Sequence, residues 1–507
     1  MKSSIKAILA AAAAIIPAVA TIAPASAQHM RIGLREDPDI LDPTLSRTYV
    51  GRIVYMALCD KLFDINERLE VVPQLATGFR WEDPKTLLVT LRPGVRFHDG
   101  TAMDAEAVRY SLNRHLTMQG SFRRSEIADM EAIEVVDPAT VRIRLKGPSA
   151  SFLSALTDRA GMIVSPTAAE AAGRNFGTRP VCAGPFRFVE RVAQERIVVE
   201  RFPEYWDAAN VHIARVTYLP IPDNTVRLAN LQSGAVEFVE RMEPDDIRTI
   251  QRNRNLRAHA VDELGYQGLT INVANGERAN TPLGRDARVR RAFELAIDRA
   301  AVNQVVYEGM YTPTRQPFPP ANPFHVRDFQ PLPRNVEAAR ALLREAGVTT
   351  PLAIEMTVPN NPDLRQVGEV IQAMVAEAGF TLTLRAMEFA SSLQAAQRGD
   401  FETYLVGWSG RVDPDGNIFS FSRTGGGQND GRYSNAEVDR LLDAARTELD
   451  VEKRKDLYAQ ALRISLGQDA NRIYLWHRKN IMAHSARLSG YRPVSDGMIR
   501  LQGMRLQ

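Results

Sequence analysis

The chain has 507 residues, of which 45% are apolar and 24% are charged, a composition that indicates a globular protein and excludes collagen-like, coiled-coil and disordered chains. The 63 basic residues nearly balance the 60 acidic ones, and the formal net charge is +3. Because so small a surplus does not hold a polyanion, we expect neither nucleic acid nor anionic lipid as the main partner. At about 150 residues per domain, the length predicts roughly three domains.

The N-terminal segment has the parts of a secretory signal peptide. Lys2 and Lys6 precede an apolar run over residues 7–23, and Ala25-Ser26-Ala27 forms a small-residue cleavage site. The alternative is a transmembrane anchor, but the run is barely long enough to span a membrane and the chain turns polar after it. We expect residues 1–27 to be removed, with no lipidated Cys at the new N-terminus. Export without an anchor favours the periplasm, although secretion into the medium fits the same signal.

Cys59 and Cys182 are the two cysteines of the chain. In an oxidising compartment two thiols are more often paired than free, so we predict a disulfide between them. Such a bridge closes a long loop and would add about 3–5 kcal/mol of stability if it is unstrained. The alternative is a pair of buried thiols.

In the first part of the chain, two segments alternate apolar and polar residues with the period of a half-buried strand. Leu87, Val89 and Leu91 form the first segment, which a Pro-Gly turn follows, and residues 140–146 form the second. Helical spacing then appears over residues 289–300, where apolar side chains recur every three or four positions. These periodicities predict a chain of mixed strands and helices.

The later part of the chain carries a predicted βαβ unit. Helical periodicity over residues 336–346 ends at Gly347, a residue suited to the position after a helix. A strand over 352–356, a helix over 362–378 and a strand over 381–384 follow in the order of a βαβ unit. The fold class is therefore α/β. The remaining predicted helices span residues 437–446 and 451–468.

Catalytic and cofactor-binding motifs are broken or missing in the sequence. Residues 407–411 approach the G-x-S-x-G elbow of hydrolases but end in Arg411, and no glycine-rich phosphate-binding motif occurs. The eight histidines include no pair at helical spacing, so a zinc or nickel site is not expected. Residues 413–417 resemble the start of a calcium loop, but Thr424 stands where a bidentate Glu is required. We expect no metal and no other cofactor.

Six short motifs, met in a fixed order along the chain, carry a family resemblance. They are Leu41-Asp42-Pro43, the block over residues 91–101, Ala183-Gly184-Pro185-Phe186, Pro203-Glu204-Tyr205-Trp206, the helix over 289–299, and the loop over 407–415. Together they resemble the family 5 extracellular solute-binding proteins, the dipeptide- and oligopeptide-type receptors of ABC importers. The resemblance extends over about residues 30–500.

The resemblance implies a two-lobed periplasmic-binding-protein fold (type II, cluster C) with an extra inserted domain. Hinges are expected near Gly268 and Lys479. The implied protein is a monomer that is not an enzyme, binds a peptide or peptide-like solute, and delivers it to a membrane permease with its ATPases. The implied boundaries are 28–52, 179–268 and 479–507 for lobe I, 53–178 for inserted domain II, and 269–478 for lobe III.

The loop that begins at Trp408 and Ser409 is the main candidate ligand site. In the family's peptide receptors the Asp of this loop pairs with the ligand's ammonium group, which implies that role for Asp413; the alternative is that Asp413 caps the turn before Pro414. A carboxylate in a closed, water-poor cleft would bind an amine strongly.

Two departures from the dipeptide pattern put a simple dipeptide ligand in doubt. The loop is one residue shorter and carries Arg411, and residues 358–362 lack the Arg that holds a dipeptide's carboxylate. We hypothesise that Arg411 or another cleft Arg contacts an anionic group, so that the ligand is a longer peptide, a glutathione-like peptide or an opine-like conjugate. The alternative for Arg411 is a solvated loop residue.

Two further parts of the chain are candidates for the cleft. They are Asn272, after the first crossover, and residues 46–49, which end at Tyr49; Asn272 equally suits a role in fixing the hinge backbone.

Two other classes of protein remain open besides the transport receptor. One is a periplasmic hydrolase and the other is a chaperone or ligand sensor.

Overall fold

The computed structural model describes residues 28–507 as a mixed α/β chain with three main sheets. The predicted signal peptide, residues 1–27, lies outside the described residues. Within the described part, no helix combines the length and the apolar character that crossing a membrane requires. The α/β class expected from the sequence is confirmed.

The strands and helices alternate along most of the chain. The strands are β1 (His29–Leu34), β2 (Phe63–Ile65), β3 (Val71–Pro73), β4 (Ala76–Asp83), β5 (Thr86–Leu91), β6 (Met130–Asp137), β7 (Thr140–Leu145), β8 (Phe186–Val192), β9 (Arg196–Arg201), β10 (Arg215–Pro220), β11 (Phe238–Val239), β12 (Leu256–Asp262), β13 (Tyr266–Ile271), β14 (Thr312–Pro313), β15 (Leu352–Pro359), β16 (Phe380–Met387), β17 (Thr403–Trp408), β18 (Arg472–His477), β19 (Lys479–Ser485), β20 (Leu488–Ser489) and β21 (Arg505–Leu506). The helices are α1 (Tyr49–Leu58), α2 (Ala105–Thr117), α3 (Phe152–Ala155), α4 (Pro166–Ala172), α5 (Asn224–Ser233), α6 (Asp246–Arg252), α7 (Pro282–Arg285), α8 (Ala287–Leu295), α9 (Arg299–Tyr307), α10 (Val336–Glu345), α11 (Pro362–Ala376), α12 (Phe389–Gln397), α13 (Asp415–Ser422), α14 (Ala436–Thr447) and α15 (Val451–Leu462).

The first lobe is built on a seven-stranded sheet in the order β12-β19-β11-β1-β10-β9-β8. Its central strand β1 runs parallel to both neighbours, β10 and β11, and carries buried apolar residues. Helix α1 packs on this sheet with all ten of its residues buried, and the Thr48 side chain caps its first turn. Parallel strands at the centre leave their carboxyl ends at one edge, where ligand sites of α/β sheets commonly form.

The second lobe is built on a six-stranded sheet in the order β14-β18-β13-β17-β15-β16. Strands β15 and β16 pair in parallel and helix α11 packs on both, which confirms the predicted βαβ unit. The helix end predicted at Gly347 is also found: Gly347 takes a positive φ of 68° after α10, and Gly379 takes a positive φ of 97° after α11, a conformation that suits glycine.

The third unit is the antiparallel sheet β4-β5-β7-β6, which has an apolar core of its own. Both strands predicted in this region, β5 and β7, are confirmed and lie side by side. In the structure Cys59, at the end of α1, forms a disulfide with Cys182, which lies shortly before β8.

The chain passes between the two lobes twice. It leaves the seven-stranded sheet after β12, enters the six-stranded sheet at Tyr266, and returns through Arg478 between β18 and β19. The first passage lies a few residues before Gly268, and the second adjoins Lys479. The domain boundaries drawn from the sequence stay a prediction.

Two helices differ from the sequence-based expectation. The apolar spacing over 289–300 predicted one helix, but α8 ends at Leu295, and the Asp298 side chain accepts from the amide of Ala301 to begin α9. Periodicity alone misses this break because the apolar side chains of both helices face the same core. The helix predicted over 451–468 is α-helical to Leu462 and continues as a π-helical turn over Arg463–Gln468.

Candidate functional site

A cleft between the two lobes, here called the main cleft, contains about 900 Å³ of atom-free space. Its first-lobe wall comes from the loops after β1 and β11 and from the start of α1, whereas β17, β18 and the start of α11 supply much of its second-lobe wall. The charged residues that line it are Arg35, Glu36, Arg47, Arg241, Asp363, Asp430, Arg472 and Arg478.

Glu36 is the carboxylate of the main cleft without a partner. It lies two residues after β1, is 8% exposed, and forms no hydrogen bond or ion pair with any residue of the 28–507 region. Burial raises its pKa to about 7, against the opposing field of Arg241 and Arg35. A buried carboxylate in this state gains most from a cation brought by a ligand.

Arg472 is the corresponding unpaired guanidinium on the second-lobe wall. At the start of β18, it donates to the hydroxyl groups of Tyr266, at 3.0 Å, and Thr270, but it forms no ion pair within the described chain. Its guanidinium carbon also lies 4.9 Å from the ring centre of Phe421. Asp430, on the same wall, is already bound by Arg47. The neutral partners fix Arg472 in place and leave its charge available to an anion.

Other arginines of the main cleft are neutralised by carboxylates. Arg241 and Arg478 share Glu263, at 3.2 and 2.6 Å. Two ion pairs join the lobes across the cleft: Arg35 binds Asp363, and Arg47 Nη2 lies 2.6 Å from Asp430 Oδ2. Two more ion pairs involve these arginines: Arg35 with Glu243 at 3.5 Å and Arg241 with Glu240 at 3.9 Å. Arg47 also makes a second contact with Asp430, at 3.2 Å. The interlobe pairs exist only while the lobes are closed on each other.

A second space, here called the side chamber, adjoins the main cleft behind Trp408 and Gln428, which line both. It contains about 480 Å³ of atom-free space, open solvent included, and lies between residues 151–158 of the third unit and the loop after β17. Arg411 and Asp413, both predicted to contact ligand, line this chamber and not the main cleft.

The structure gives Asp413 and Arg411 protein partners. Asp413 accepts two hydrogen bonds from Arg454, at 2.6 and 2.8 Å, and burial raises its pKa against that pairing. The Arg411 guanidinium lies 4.4 Å from the ring centre of Trp408, and its Nη2 is 3.3 Å from Asp158 Oδ1. Arg411 is thus mostly buried, with 11% of its side chain exposed, which differs from a solvated loop residue.

Of the remaining predicted residues, two line the main cleft and one holds backbone groups together. Tyr49 and Ser409 line the main cleft; the Tyr49 hydroxyl donates to the carbonyl of Gly497 and Ser409 accepts from Arg52 at 2.8 Å. Asn272 is buried away from the cleft, where its amide donates to three backbone carbonyls, those of Asn275, Gly399 and Phe401. That placement matches the backbone-fixing role weighed for Asn272.

Sequence reasoning missed Glu36 and Arg472. A signal for Glu36 existed, because it follows the apolar strand β1 at the edge where ligands of α/β folds bind. Arg472 directly precedes an apolar run and carries no local motif that could have identified it. Within residues 28–507, no three side chains of the metal-ligating types lie together.

Comparison with known proteins adds one curated protein of similar sequence and two solved structures of similar fold. A glutathione-binding protein of Pectobacterium atrosepticum is 28% identical over 475 residues, covering 91% of this chain and 91% of its own. The periplasmic binding protein AgaA from A. tumefaciens R10, solved with agropinic acid, matches with a TM-score of 0.86 at 24% identity over 94% of this chain and 99% of its own. The murein tripeptide binding protein MppA of Escherichia coli matches with a TM-score of 0.88 at 21% identity, over 95% of this chain and 99% of its own.

The structural matches confirm the two-lobed periplasmic-binding-protein fold that the motifs predicted. The family model described as "Bacterial extracellular solute-binding proteins, family 5 Middle" matches residues 70–430, which is more than half of the chain. The chain therefore belongs to the bacterial extracellular solute-binding proteins of family 5, the substrate-binding components of ABC importers.

Proposed function

We propose that the protein captures a peptide or peptide-like solute with an ammonium and a carboxylate group in the main cleft, and delivers it to a membrane permease. The observation that carries the proposal is the pair Glu36 and Arg472. These are a carboxylate and a guanidinium without ionic partners, on walls that belong to different lobes.

The charge arrangement suits a zwitterion. The ligand's ammonium group binds Glu36 on the first lobe and its carboxylate binds Arg472 on the second, so one molecule bridges both walls. Charge-assisted hydrogen bonds in a site that excludes water are about twice as strong as neutral ones. Because both contacts form together only when the lobes are closed, the ligand favours the closed form.

The names of the relatives support this ligand class. Glutathione and the murein tripeptide, after which two of the relatives are named, are peptides, and agropinic acid was bound in the third. The predicted contacts of Trp408, Ser409 and Tyr49 with the ligand belong to the same proposal, because all three line the main cleft. The proposal also includes export to the periplasm through the signal peptide, a monomeric state, and docking on a permease with its ATPases.

Titration calorimetry on mature protein, residues 28–507, tests the proposal. The probes are reduced glutathione, tri-alanine and a dipeptide, with the amino-acetylated form of each as a matched ligand that lacks the ammonium charge. We expect at least one probe to bind, its acetylated form to bind at least tenfold more weakly, and Glu36→Gln or Arg472→Gln to weaken the parent probe by a similar factor.

Surface variants serve as matched controls. Glu437→Gln and Arg463→Gln alter one carboxylate and one guanidinium that are half-exposed and do not line the main cleft, and should leave affinity unchanged. Binding that is indifferent to both cleft substitutions would contradict the proposed site. The absence of binding for every probe would contradict the proposed ligand class.

A further inference from the structure

The side chamber is more than an extension of the main cleft, because a fixed aromatic wall separates them. The Trp408 indole donates to the carbonyl of Gly416 at 3.0 Å and lies 3.2 Å from Asn417 Oδ1, which sets its orientation. Phe421, which lines the main cleft, meets this indole edge-on at 4.9 Å, and Arg411, which lines the side chamber, stacks on it. A ligand arm that reaches from the main cleft into the side chamber passes this wall.

The four carboxylates that line the side chamber are all held by arginines. Asp413 pairs with Arg454 at 2.6 Å and Asp415 with Arg446 at 2.5 Å. Glu126 pairs with Arg123 at 2.6 Å, and Asp158 with Arg52. Their negative charge is therefore neutralised by the protein's own arginines, and the chamber is not expected to bind a cation.

The polar groups of the chamber that lack hydrogen-bond partners within residues 28–507 include two nitrogen donors. They are Gln428 Nε2 and Arg411 Nη2, the second of which makes no hydrogen bond although it lies 3.3 Å from Asp158 Oδ1, and the third group is the Ser151 hydroxyl. Gln428 and Ser151 are 5% and 4% exposed, so water outside the protein does not satisfy them. Buried donors without partners cost free energy until an acceptor arrives.

Positive charge is in excess around Asp158. Its carboxylate is shared by the guanidinium groups of Arg52, Arg159 and Arg411, and two nitrogens of Arg159 also lack hydrogen-bond partners in the described chain. Gly416 is part of this arrangement, because a Cβ at that position would lie 2.6 Å from Arg411 Cγ. The missing side chain of Gly416 is what lets Arg411 lie along the chamber wall.

We propose that the side chamber is a second anion subsite, and that the ligand is a compound with one ammonium group and two carboxylates. This inference rests on the proposed function: Glu36 and Arg472 receive the first two charges in the main cleft. A second carboxylate passes Trp408 and accepts from Arg411 and Gln428. The ligand then carries a net charge of about −1 at neutral pH.

The test uses reduced glutathione, which has this charge pattern, and its two monoesters, each of which lacks one carboxylate charge. We expect wild-type protein to bind the diacid at least tenfold more tightly than either monoester in calorimetry. Arg411→Gln should lose the discrimination against one monoester and Arg472→Gln the discrimination against the other. A purely structural role of Arg411 would not separate the two esters.

A second variant keeps the test decisive if Arg411→Gln folds poorly. Ala155→Leu places bulk into the side chamber from the opposite wall, and Ala171→Leu, at an exposed position on α4, is its control. Only Ala155→Leu should weaken the binding of glutathione, to about the affinity of the monoester whose discrimination depends on Arg411. The inference is overturned if Arg411→Gln and Ala155→Leu keep the wild-type discrimination, or if wild-type protein binds tri-alanine as tightly as glutathione; the proposed function survives both outcomes.

Discussion

Arg47 of the first lobe holds Asp430 of the second with both of its terminal nitrogens, at 2.6 and 3.2 Å, and its Nε donates to Gln428 at 3.0 Å. The two side chains are 8% and 10% exposed. A contact of this kind adds nothing to the open form, in which water solvates both charges. It therefore contributes to the closing equilibrium and, through it, to ligand affinity.

Asp430→Asn should shift the ligand-free protein toward the open form. A closing equilibrium weakened by about 1.4 kcal/mol lowers the apparent affinity about tenfold without altering the contacts of Glu36 or Arg472. The measurement is small-angle scattering without ligand, where the radius of gyration should rise, followed by calorimetry with the best-binding probe. Asp328→Asn, which breaks an exposed ion pair within the second lobe, is the control. A scattering curve identical to that of wild type would contradict this role.

Ligand binding should release a proton at mildly acid pH. Burial raises the pKa of Glu36 to about 7, so its carboxyl is mostly protonated at pH 6 in the ligand-free protein. An ammonium group beside it favours the ionised form, and binding at pH 6 then releases close to one proton. Affinity should rise as pH increases through 7, until the ligand's own amine, with a pKa of about 8, begins to lose its charge.

Calorimetry in two buffers of different ionisation enthalpy counts the released protons. Other buried carboxyls titrate in the same pH range, because burial also raises the pKa of Asp60 to about 7 and that of Glu243 to about 8. The difference between wild type and Glu36→Gln isolates the contribution of Glu36. Equal proton release in both proteins would show that another group carries the effect.

Local patterns predicted much of the fold. The βαβ unit of β15, α11 and β16 follows from apolar periodicity, and Gly347 and Gly379 mark helix ends because they take positive φ. The break between α8 and α9 could not be predicted in this way, since Asp298 interrupts the helix without interrupting the apolar face.

The site was less predictable, because its partners are distant in sequence. Trp408, Ser409 and Tyr49 do line the main cleft, but Arg454, the partner of Asp413, is on α15 and no local pattern connects the two. Glu36 and Arg472 come from opposite ends of the chain. Their shared feature, a charge without an ionic partner in the main cleft, becomes visible only when the other charges of the cleft are seen to be paired in three dimensions.

Asp413→Asn separates the two roles considered for this residue. It leaves Arg454 buried without its charge partner, and breaking such a pair costs about 3–5 kcal/mol. If the ion pair is the main role, the midpoint of thermal unfolding should fall by several degrees while the affinity for a bound probe changes less than about threefold. A loss of affinity with unchanged stability would instead support the ammonium contact inferred from the family resemblance.

The disulfide gives the last prediction. Cys59 and Cys182 are 123 residues apart, and a cross-link over a loop of that length restricts the unfolded chain enough to contribute about 3–5 kcal/mol. The double variant Cys59→Ser/Cys182→Ser should therefore unfold at lower denaturant concentration than wild type. Dithiothreitol should lower the wild-type midpoint to that of the variant and leave the variant unchanged. An equal response of both proteins to the reductant would mean that the bridge does not contribute to stability in solution.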